Sequence, residues 1–123
     1  MRKQYYFQPS PRGTLAWDVD HLIALSADLQ RRRIPLADIR ELDEDWFGKD
    51  ERPTWRNLLN HLKLIDEADL SFPIIVSAEG RVMDGMHRVA KALSQGRHDI
   101  ETVRFEQDPP PDHIGREPND LPY

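Results

Sequence analysis

The chain has 123 residues and no cysteine, which predicts one domain with a modest core and excludes disulfides, thiolate metal sites and thiol nucleophiles. Charged residues make up 32% of the chain, and the net charge of -5 disfavours broad affinity for nucleic-acid phosphates in the absence of a local basic patch. No stretch approaches the ~20 apolar residues of a membrane span, and the first residues lack the apolar core of a secretory signal. We therefore expect a soluble cytoplasmic protein with no membrane partner.

The first thirty residues predict a strand and a helix. Gln4 to Gln8 contains three consecutive aromatic residues and favours a short strand, whereas Pro11 and Gly13 break any regular pattern after it. Asp18 or a neighbour begins a helix that runs to about Leu29, with an apolar stripe for packing.

A basic and an acidic run follow. Arg31 to Arg33 forms either a solvated loop or a contact with a phosphate-bearing ligand or an acidic partner. Ile34 to Ile39 predicts a short strand entering a turn. The acidic run Glu41 to Asp45 is solvated, or else supplies a carboxylate near Asp84 that binds magnesium or acts as a base.

A longer helix is the clearest structural signal of the chain. Pro53 suits its first turn, and its apolar residues are three or four positions apart, as on one buried face. These residues are Trp55, Leu58, Leu59, Leu62 and Ile65.

Residues 72–105 predict a compact strand, turn, strand, helix and strand unit. A strand over Phe72 to Val76 and a return strand over Arg81 to Met83 flank a turn with glycine, and a final strand covers Ile100 to Phe105. Between them a helix runs from Asp84 to about Gln95 and is terminated by Gly96. Its residues predicted to face inward are Met86, Val89, Ala90 and Leu93.

The last residues are rich in proline. Pro109 to Pro111 form a run, and Pro118 and Pro122 follow, a composition that disfavours regular structure and predicts an extended tail. We therefore divide the chain into a folded domain over residues 1–108 and a tail over 109–123, whose end, Leu121 to Tyr123, packs either on its own domain or on a protein partner.

The junction between return strand and helix is the candidate functional site. A helix N-terminus offers unpaired N–H groups and positive potential to a phosphate. Gly85 lets a ligand approach the main chain, and His87 and Arg88 add donors in the first turn. Lys91 lies one turn after His87, so three basic groups cluster at one helix end. Basic residues are unfavourable beside the positive end of the helix dipole, so their presence here is better explained if an anion binds.

The same residues also have a purely structural interpretation. Asp84 is a good N-cap, Gly85 serves a tight turn, and Arg88 is a solvated side chain. Met86 is a core contact rather than a functional thioether. In the functional interpretation Asp84 holds magnesium or orients an acceptor, because bare negative charges close to each other repel.

The pattern over residues 72–105, with Asp84-Gly85-Met86-His87-Arg88 at its centre, resembles the ParB/sulfiredoxin superfamily. The resemblance implies a small α+β fold, in which a small mixed sheet carries packed helices. It also implies that Gly85, Met86, His87 and Arg88 hold nucleotide phosphates. Met86 stands where sulfiredoxins have their catalytic cysteine, so the chain is not that reductase. The motif is most similar to a branch of the superfamily with Asp-Gly-His-His-Arg, which contains a free-serine kinase that uses ADP and magnesium. In that branch a separate glutamate acts as the base. Glu41 and Glu44 are the positional candidates for this glutamate.

We expect a nucleoside di- or triphosphate with magnesium at this site, and hydrolysis or phosphotransfer is the enzymatic extension. Asp84 and His87 are the candidate catalytic residues, and Asp84 is the candidate metal ligand. The candidate cofactor-binding residues are Gly85, Met86, His87, Arg88 and Lys91. The alternative is a non-catalytic adaptor that retains the fold. A DNA-binding or DNA-segregation role is disfavoured by the net charge and by the tail that stands where a DNA-reading domain would begin.

Overall fold

The computed structural model describes residues 3–45 and 53–123 and has an α+β fold, which confirms the predicted class. Strands form two sheets in these ranges, one of three strands and one of four, rather than one sheet. No helix of the described ranges combines the length and apolarity that a membrane crossing requires. The helices are α1 (Val19–Ser26), α2 (Trp55–Glu67) and α3 (Met86–Ser94), and the strands are β1 (Tyr5–Gln8), β2 (Leu15–Asp18), β3 (Arg32–Pro35), β4 (Ile74–Val76), β5 (Val82–Asp84), β6 (Asp99–Arg104) and β7 (His113–Ile114).

The four-stranded sheet has the order β3-β6-β4-β5 and is mixed, as predicted. β4 and β6 are parallel, while β3 pairs with β6 and β5 with β4 in antiparallel fashion. Two parallel strands need a crossover, which the hairpin to β5 and helix α3 supply. β3 begins inside the arginine run, two residues before the predicted start, and ends in a 3-10 turn over Leu36–Asp38.

Side chains alternate between the two faces of this sheet, and each face has its own core. Ile74 and Val76 point into a cluster with α3, whereas Ile75 between them joins a cluster with Trp17 and Leu22 on the side of α1. The period of two along a strand produces this division. The sheet is therefore covered on both faces, and the end of β5 emerges beside α1 and α3.

The three-stranded sheet has the order β1-β2-β7 and includes residues from the proline-rich segment. β7 pairs with β2 in the register Ala16↔His113, and a 3-10 helix covers Pro118–Asp120. The prediction of no regular structure after residue 108 is therefore wrong, as is the prediction of none between Pro11 and α1. No proline lies in β2 or β7, and Pro118 takes the first position of the 3-10 helix, where its missing N–H is not needed.

The last residues also pack against the domain. The indole Nε1 of Trp17 donates to the carbonyl of Pro109 at 2.8 Å, and the backbone N–H of Asp18 donates to the carboxylate of Asp112 at 2.8 Å. Leu121 is only 4% exposed. The segment is thus held by long-range contacts that its composition does not reveal.

Helices α1 and α3 have the ends that their sequences predict, with small shifts. The Asp18 side chain caps α1 by accepting from the N–H of Asp20 at 2.9 Å, and the helix ends at Ser26, before the predicted Leu29. α3 ends at Ser94 and is followed by Gly96 at φ +73°. Leu93 is exposed, so its predicted inward orientation is wrong; Ala92 takes the buried position beside Val89.

Helix α2 exists where predicted, but its orientation is not the predicted one. The Thr54 hydroxyl caps it by accepting from Asn57 N–H at 3.1 Å, so Pro53 lies before the helix rather than in its first turn. None of its residues is buried, and Trp55 is 81% exposed. The half-buried residues are Asn57, His61, Ile65 and Ala68, so the helix docks through a side rotated by roughly 100° from the apolar stripe. The predicted buried face is therefore wrong for Trp55, Leu58, Leu59 and Leu62.

Candidate functional site

The junction between β5 and α3 carries the candidate residues. Asp84 is the last residue of β5, and Gly85 is the N-cap of α3 with φ 110° and ψ 20°. No side chain caps this helix, so the interpretation of Asp84 as the capping residue is wrong. The carboxylate of Asp84 is consequently available for another role.

Gly85 is required for steric reasons that involve the core. Its backbone lies in the left-handed region, and a Cβ built there would approach Cγ2 of Ile74 to 2.6 Å and its Cβ to 3.0 Å. The space that glycine leaves open is thus filled by β4 rather than by solvent. The expectation that the missing Cβ admits a ligand is wrong for this side of the residue.

Arg88 and Asp84 form an ion pair one helical turn apart. The distance from Arg88 Nη2 to Asp84 Oδ2 is 2.9 Å, and the two side chains are 17% and 16% exposed. Nη1 of Arg88 also donates to the carbonyls of Phe72, at 3.2 Å, and Pro73. Arg88 is therefore not a solvated side chain. These contacts use three of the five N–H donors of the guanidinium, and Nε and one Nη2 hydrogen remain.

Lys91 turns toward helix α2. Its Nζ donates to the carbonyls of Asp66 at 2.8 Å and Ala68 at 2.7 Å, at the last turn and C-cap of that helix. A cation here satisfies carbonyls that lack intrahelical partners and complements the helix dipole. The structure thus gives Lys91 a capping role at α2, with carbonyl partners different from those of Arg88.

His87 contacts His61 of α2. Nε2 of His87 lies 3.1 Å from Nδ1 of His61, so one of the two nitrogens must carry the shared hydrogen. Partial burial lowers the pKa of His87 below its usual value, the neighbouring His61 lowers it further, and Asp84 opposes both effects. Neutral His87 therefore predominates near pH 7.

The remaining sequence candidates fall into other environments. Met86 is half-buried and packs against the α3-side core, consistent with a core contact. Glu41 accepts from the backbone N–H of Val82, and Glu44 pairs with Arg81 at 2.7 Å. Arg81 and Val82 lie at the start of β5, whereas Asp84 is at its end. Neither glutamate is therefore brought to Asp84 by these contacts.

An apolar cleft of about 370 Å³ opens between α1 and the four-stranded sheet. Its polar lining residues are Ser26, Arg31, Asp84 and Arg88. The guanidinium Nη1 of Arg31 donates to the carbonyl of Ser71 at 3.1 Å, so the first arginine of the basic run is directed to this part of the fold. The apolar lining residues are Ile23, Ala27, Leu29, Phe72, Pro73, Ile75 and Val103.

A second, more polar cleft of about 710 Å³ lies on the other side of the same ion pair. Asp84, Arg88 and Ile23 line both clefts, so the pair belongs to the wall between them. The remaining lining residues of the polar cleft are Lys3, Gln4, Val19, Asp20 and Tyr123. The ammonium of Lys3 is paired with Asp18 at 2.9 Å.

Sequence reasoning found Asp84 and Arg88 but missed most of the cleft. α1 and the two chain ends contribute Ile23, Lys3 and Tyr123, and no local motif links these residues to the junction. The basic run gave a partial signal, because Arg31 lines the apolar cleft, whereas Arg33 does not line it and pairs with Asp99 on β6. Only the packing of α1 on the sheet distinguishes the two arginines.

No group of three or more histidine, aspartate or glutamate side chains is arranged to hold a metal within residues 3–45 and 53–123. The Asp84 carboxylate uses Oδ2 for Arg88, which leaves Oδ1 as a single oxygen ligand. Magnesium is commonly held by one or two carboxylates together with substrate phosphates. The residues therefore fit a magnesium ion that arrives with a nucleotide better than a resident ion.

No family model, curated protein or solved structure matches this chain.

Proposed function

We propose that the chain binds a phosphate-bearing small molecule, in the first place a nucleoside di- or triphosphate with magnesium, at the clefts on either side of Asp84 and Arg88. The observation that carries the proposal is the shared ion pair: one nearly buried guanidinium and one carboxylate line both an apolar and a polar cleft. Ligand sites are typically concave and mostly apolar, with a few fixed polar groups, and measure ~300–1,000 Å³. Both clefts have volumes in this range, and the smaller one is mostly apolar.

Arg88 is suited to contact a phosphate because it is already immobilised. Two backbone carbonyls and Asp84 hold its guanidinium, so a ligand that accepts from the remaining donors need not order a long side chain. A hydrogen bond to a charged group contributes ~1.5–3 kcal/mol. The positive N-terminus of α3 begins three residues earlier and adds to the attraction.

The charges around the clefts explain why magnesium belongs to the proposal. Lys3, Arg31 and Arg88 are cationic and Asp20 and Asp84 anionic among the described lining residues. The small net positive charge is insufficient for a triphosphate. Asp84 would hold a divalent ion that arrives with the phosphates, and that ion would supply the remaining positive charge.

Hydrolysis or transfer of the terminal phosphate is the enzymatic extension of this proposal. Such reactions depend chiefly on positioning and charge neutralisation, for which Asp84, Arg88 and the metal are the candidates. His87, the other candidate catalytic residue, contacts His61 and lines neither cleft, so the enzymatic extension depends on Asp84, Arg88 and the metal. Release of labelled γ-phosphate over time, present in the parent protein and absent in Asp84→Asn, would support turnover.

The test of binding is a calorimetric titration with CTP, ATP, ADP, GTP and inorganic phosphate, each with and without magnesium. A ligand at 100 times its Kd adds ~2.7 kcal/mol to the free energy of unfolding, so a melting-temperature shift gives an independent readout. Arg88→Lys keeps the charge but not the planar fork, and we expect affinity to fall by ~10-fold or more. Circular dichroism verifies that this variant is folded.

Arg31 and Arg33 provide a matched pair of controls that leaves the ion pair intact. Both side chains are about half exposed, at 53% and 50%, but only Arg31 lines the apolar cleft. We expect Arg31→Gln to weaken binding by ~3- to 5-fold and Arg33→Gln to leave it unchanged within ~2-fold, because exposed charges contribute ~0.2–1 kcal/mol. Equal effects of the two substitutions, or no binding of any tested ligand by the parent, would overturn the proposal.

A non-catalytic adaptor remains a second candidate function, because one observation favours it. The apolar residues of α2, which a monomeric domain normally buries, lie on the surface. An adaptor predicts no effect of nucleotides on the melting temperature and an assembly that depends on α2.

A further inference from the structure

We infer that the exposed apolar face of helix α2 is a self-association surface on which a second copy of this chain docks, with the two α2 helices antiparallel. The face consists of Trp55, Leu58, Leu59 and Leu62 and is called the α2 stripe below. It is separate from the two clefts, since none of its residues lines either of them.

Packing among residues 3–45 and 53–123 does not account for the α2 stripe. Its residues are 81%, 40%, 61% and 50% exposed in chain order. Docking of α2 instead uses Asn57 and His61 on the adjoining side, the contact of His61 with His87, and the capping of the helix by Lys91. These anchors fix the rotation of the helix about its axis, so the stripe remains directed outward.

The area of the stripe matches what a weak dimer needs. Four side chains with these exposures present on the order of 500 Å² per copy, and a two-fold interface would bury roughly 1,000 Å² before the surrounding polar rim is counted. This lies at the lower end of specific interfaces, where reversible dimers with micromolar dissociation constants occur. The tryptophan at one end is a residue type enriched at interface hot spots, and the leucines along the centre supply apolar area.

The charges beside the stripe select the antiparallel arrangement. Arg56 lies near the N-terminal end of α2, and Asp66 and Glu67 lie near its C-terminal end, where Lys63 of the same helix pairs with Glu67 at 3.9 Å. An antiparallel pair brings Arg56 of each copy beside the acidic residues of the other, whereas a parallel pair places like charges together. Two-fold symmetry makes this complementary contact twice. In the antiparallel pair the two helix dipoles also point in opposite directions, which is favourable.

The test is the oligomeric state of the full chain, measured by sedimentation equilibrium and light scattering over a range of concentrations. We expect the average mass to rise from 14.4 kDa toward twice that value with a micromolar midpoint. Leu59→Glu places a charge in the centre of the stripe, and we expect dimer affinity to fall by ~10-fold or more, because the variant loses apolar burial and must desolvate a carboxylate in the interface.

Leu64→Glu is the matched control on the same helix. Leu64 is also exposed, at 46%, but lies on the side of α2 roughly opposite the stripe. We expect its dimer affinity to stay within ~2-fold of the parent. Arg56→Glu tests the orientation: it should weaken the dimer, and the double variant Arg56→Glu/Asp66→Arg should restore it.

Three results would overturn the inference: a parent protein that stays monomeric at all concentrations, a dimer that Leu59→Glu and Leu64→Glu affect equally, or a charge reversal that is not rescued. Circular dichroism of each variant distinguishes loss of association from loss of folding. Since Leu59 is exposed in the monomer, its substitution is not expected to unfold the domain.

Discussion

Substitution of Gly85 by alanine tests the main steric claim about the β5–α3 junction. Two penalties act together at this position. An alanine in the left-handed region costs ~1–2 kcal/mol, and the new methyl would stand 2.6 Å from Cγ2 of Ile74, a buried side chain that cannot move aside freely. Inserting a methyl into a packed core costs ~1–3 kcal/mol. We therefore expect Gly85→Ala to lower the free energy of unfolding by ~2–5 kcal/mol, a large share of the ~5–15 kcal/mol typical of a domain.

The control is Gly80→Ala in the hairpin turn. Gly80 also has a positive φ, at +87°, but a Cβ there would meet nothing within 4 Å. Only the backbone penalty applies, partly offset by the smaller entropy of the unfolded alanine chain, so we expect a loss of ~1 kcal/mol or less. The difference in unfolding free energy between the two variants isolates the cost of the contact with Ile74.

Urea unfolding followed by circular dichroism measures both variants, and a double-mutant cycle with Ile74→Ala provides the closing test. Removing Cγ2 of Ile74 should relieve the clash, so the cycle should show a favourable coupling of ~1–3 kcal/mol between the two alanine substitutions. Equal losses for Gly85→Ala and Gly80→Ala, or a coupling near zero, would refute the assignment of Gly85 to core packing and return it to ligand approach.

Two further predictions concern the histidine pair and the last residues of the chain. Because burial and His61 lower the pKa of His87 in the folded state, the unfolded chain takes up this proton first as the pH falls. The free energy of unfolding should therefore decrease below about pH 6.5, and His87→Gln should flatten this decrease in urea titrations between pH 7 and 5; an unchanged decrease in the variant would contradict the assignment. Leu121→Ala should lower the free energy of unfolding by ~2–3 kcal/mol, because Leu121 is 4% exposed. The control Leu25→Ala, at an exposed position, should change the free energy of unfolding by less than ~0.5 kcal/mol. A near-neutral Leu121→Ala in chemical denaturation would contradict the packing of the last residues on the domain.

Local chemistry in the sequence determined much of the fold. The apolar run before Ser77 predicted β4, the turn with Gly80 predicted its hairpin to β5, and Asp18 and Gly96 predicted the start of α1 and the end of α3. Such signals act between residues close in the chain, through backbone conformation and capping hydrogen bonds, so they can be recognised without a structure. The same signals identified Asp84 and Arg88, which lie one helical turn apart.

The tertiary structure decided which surfaces these elements bury. The spacing of Trp55, Leu58 and Leu62 predicted a helix correctly, but its rotation depends on Lys91 and His87 of another helix. The partner of Gly85 is Ile74, and β7 exists because β2 offers it an edge. Each of these results depends on contacts between residues distant in sequence. The free energy of these contacts exceeds the local conformational preferences, and the contacts leave no periodic pattern or motif in the sequence.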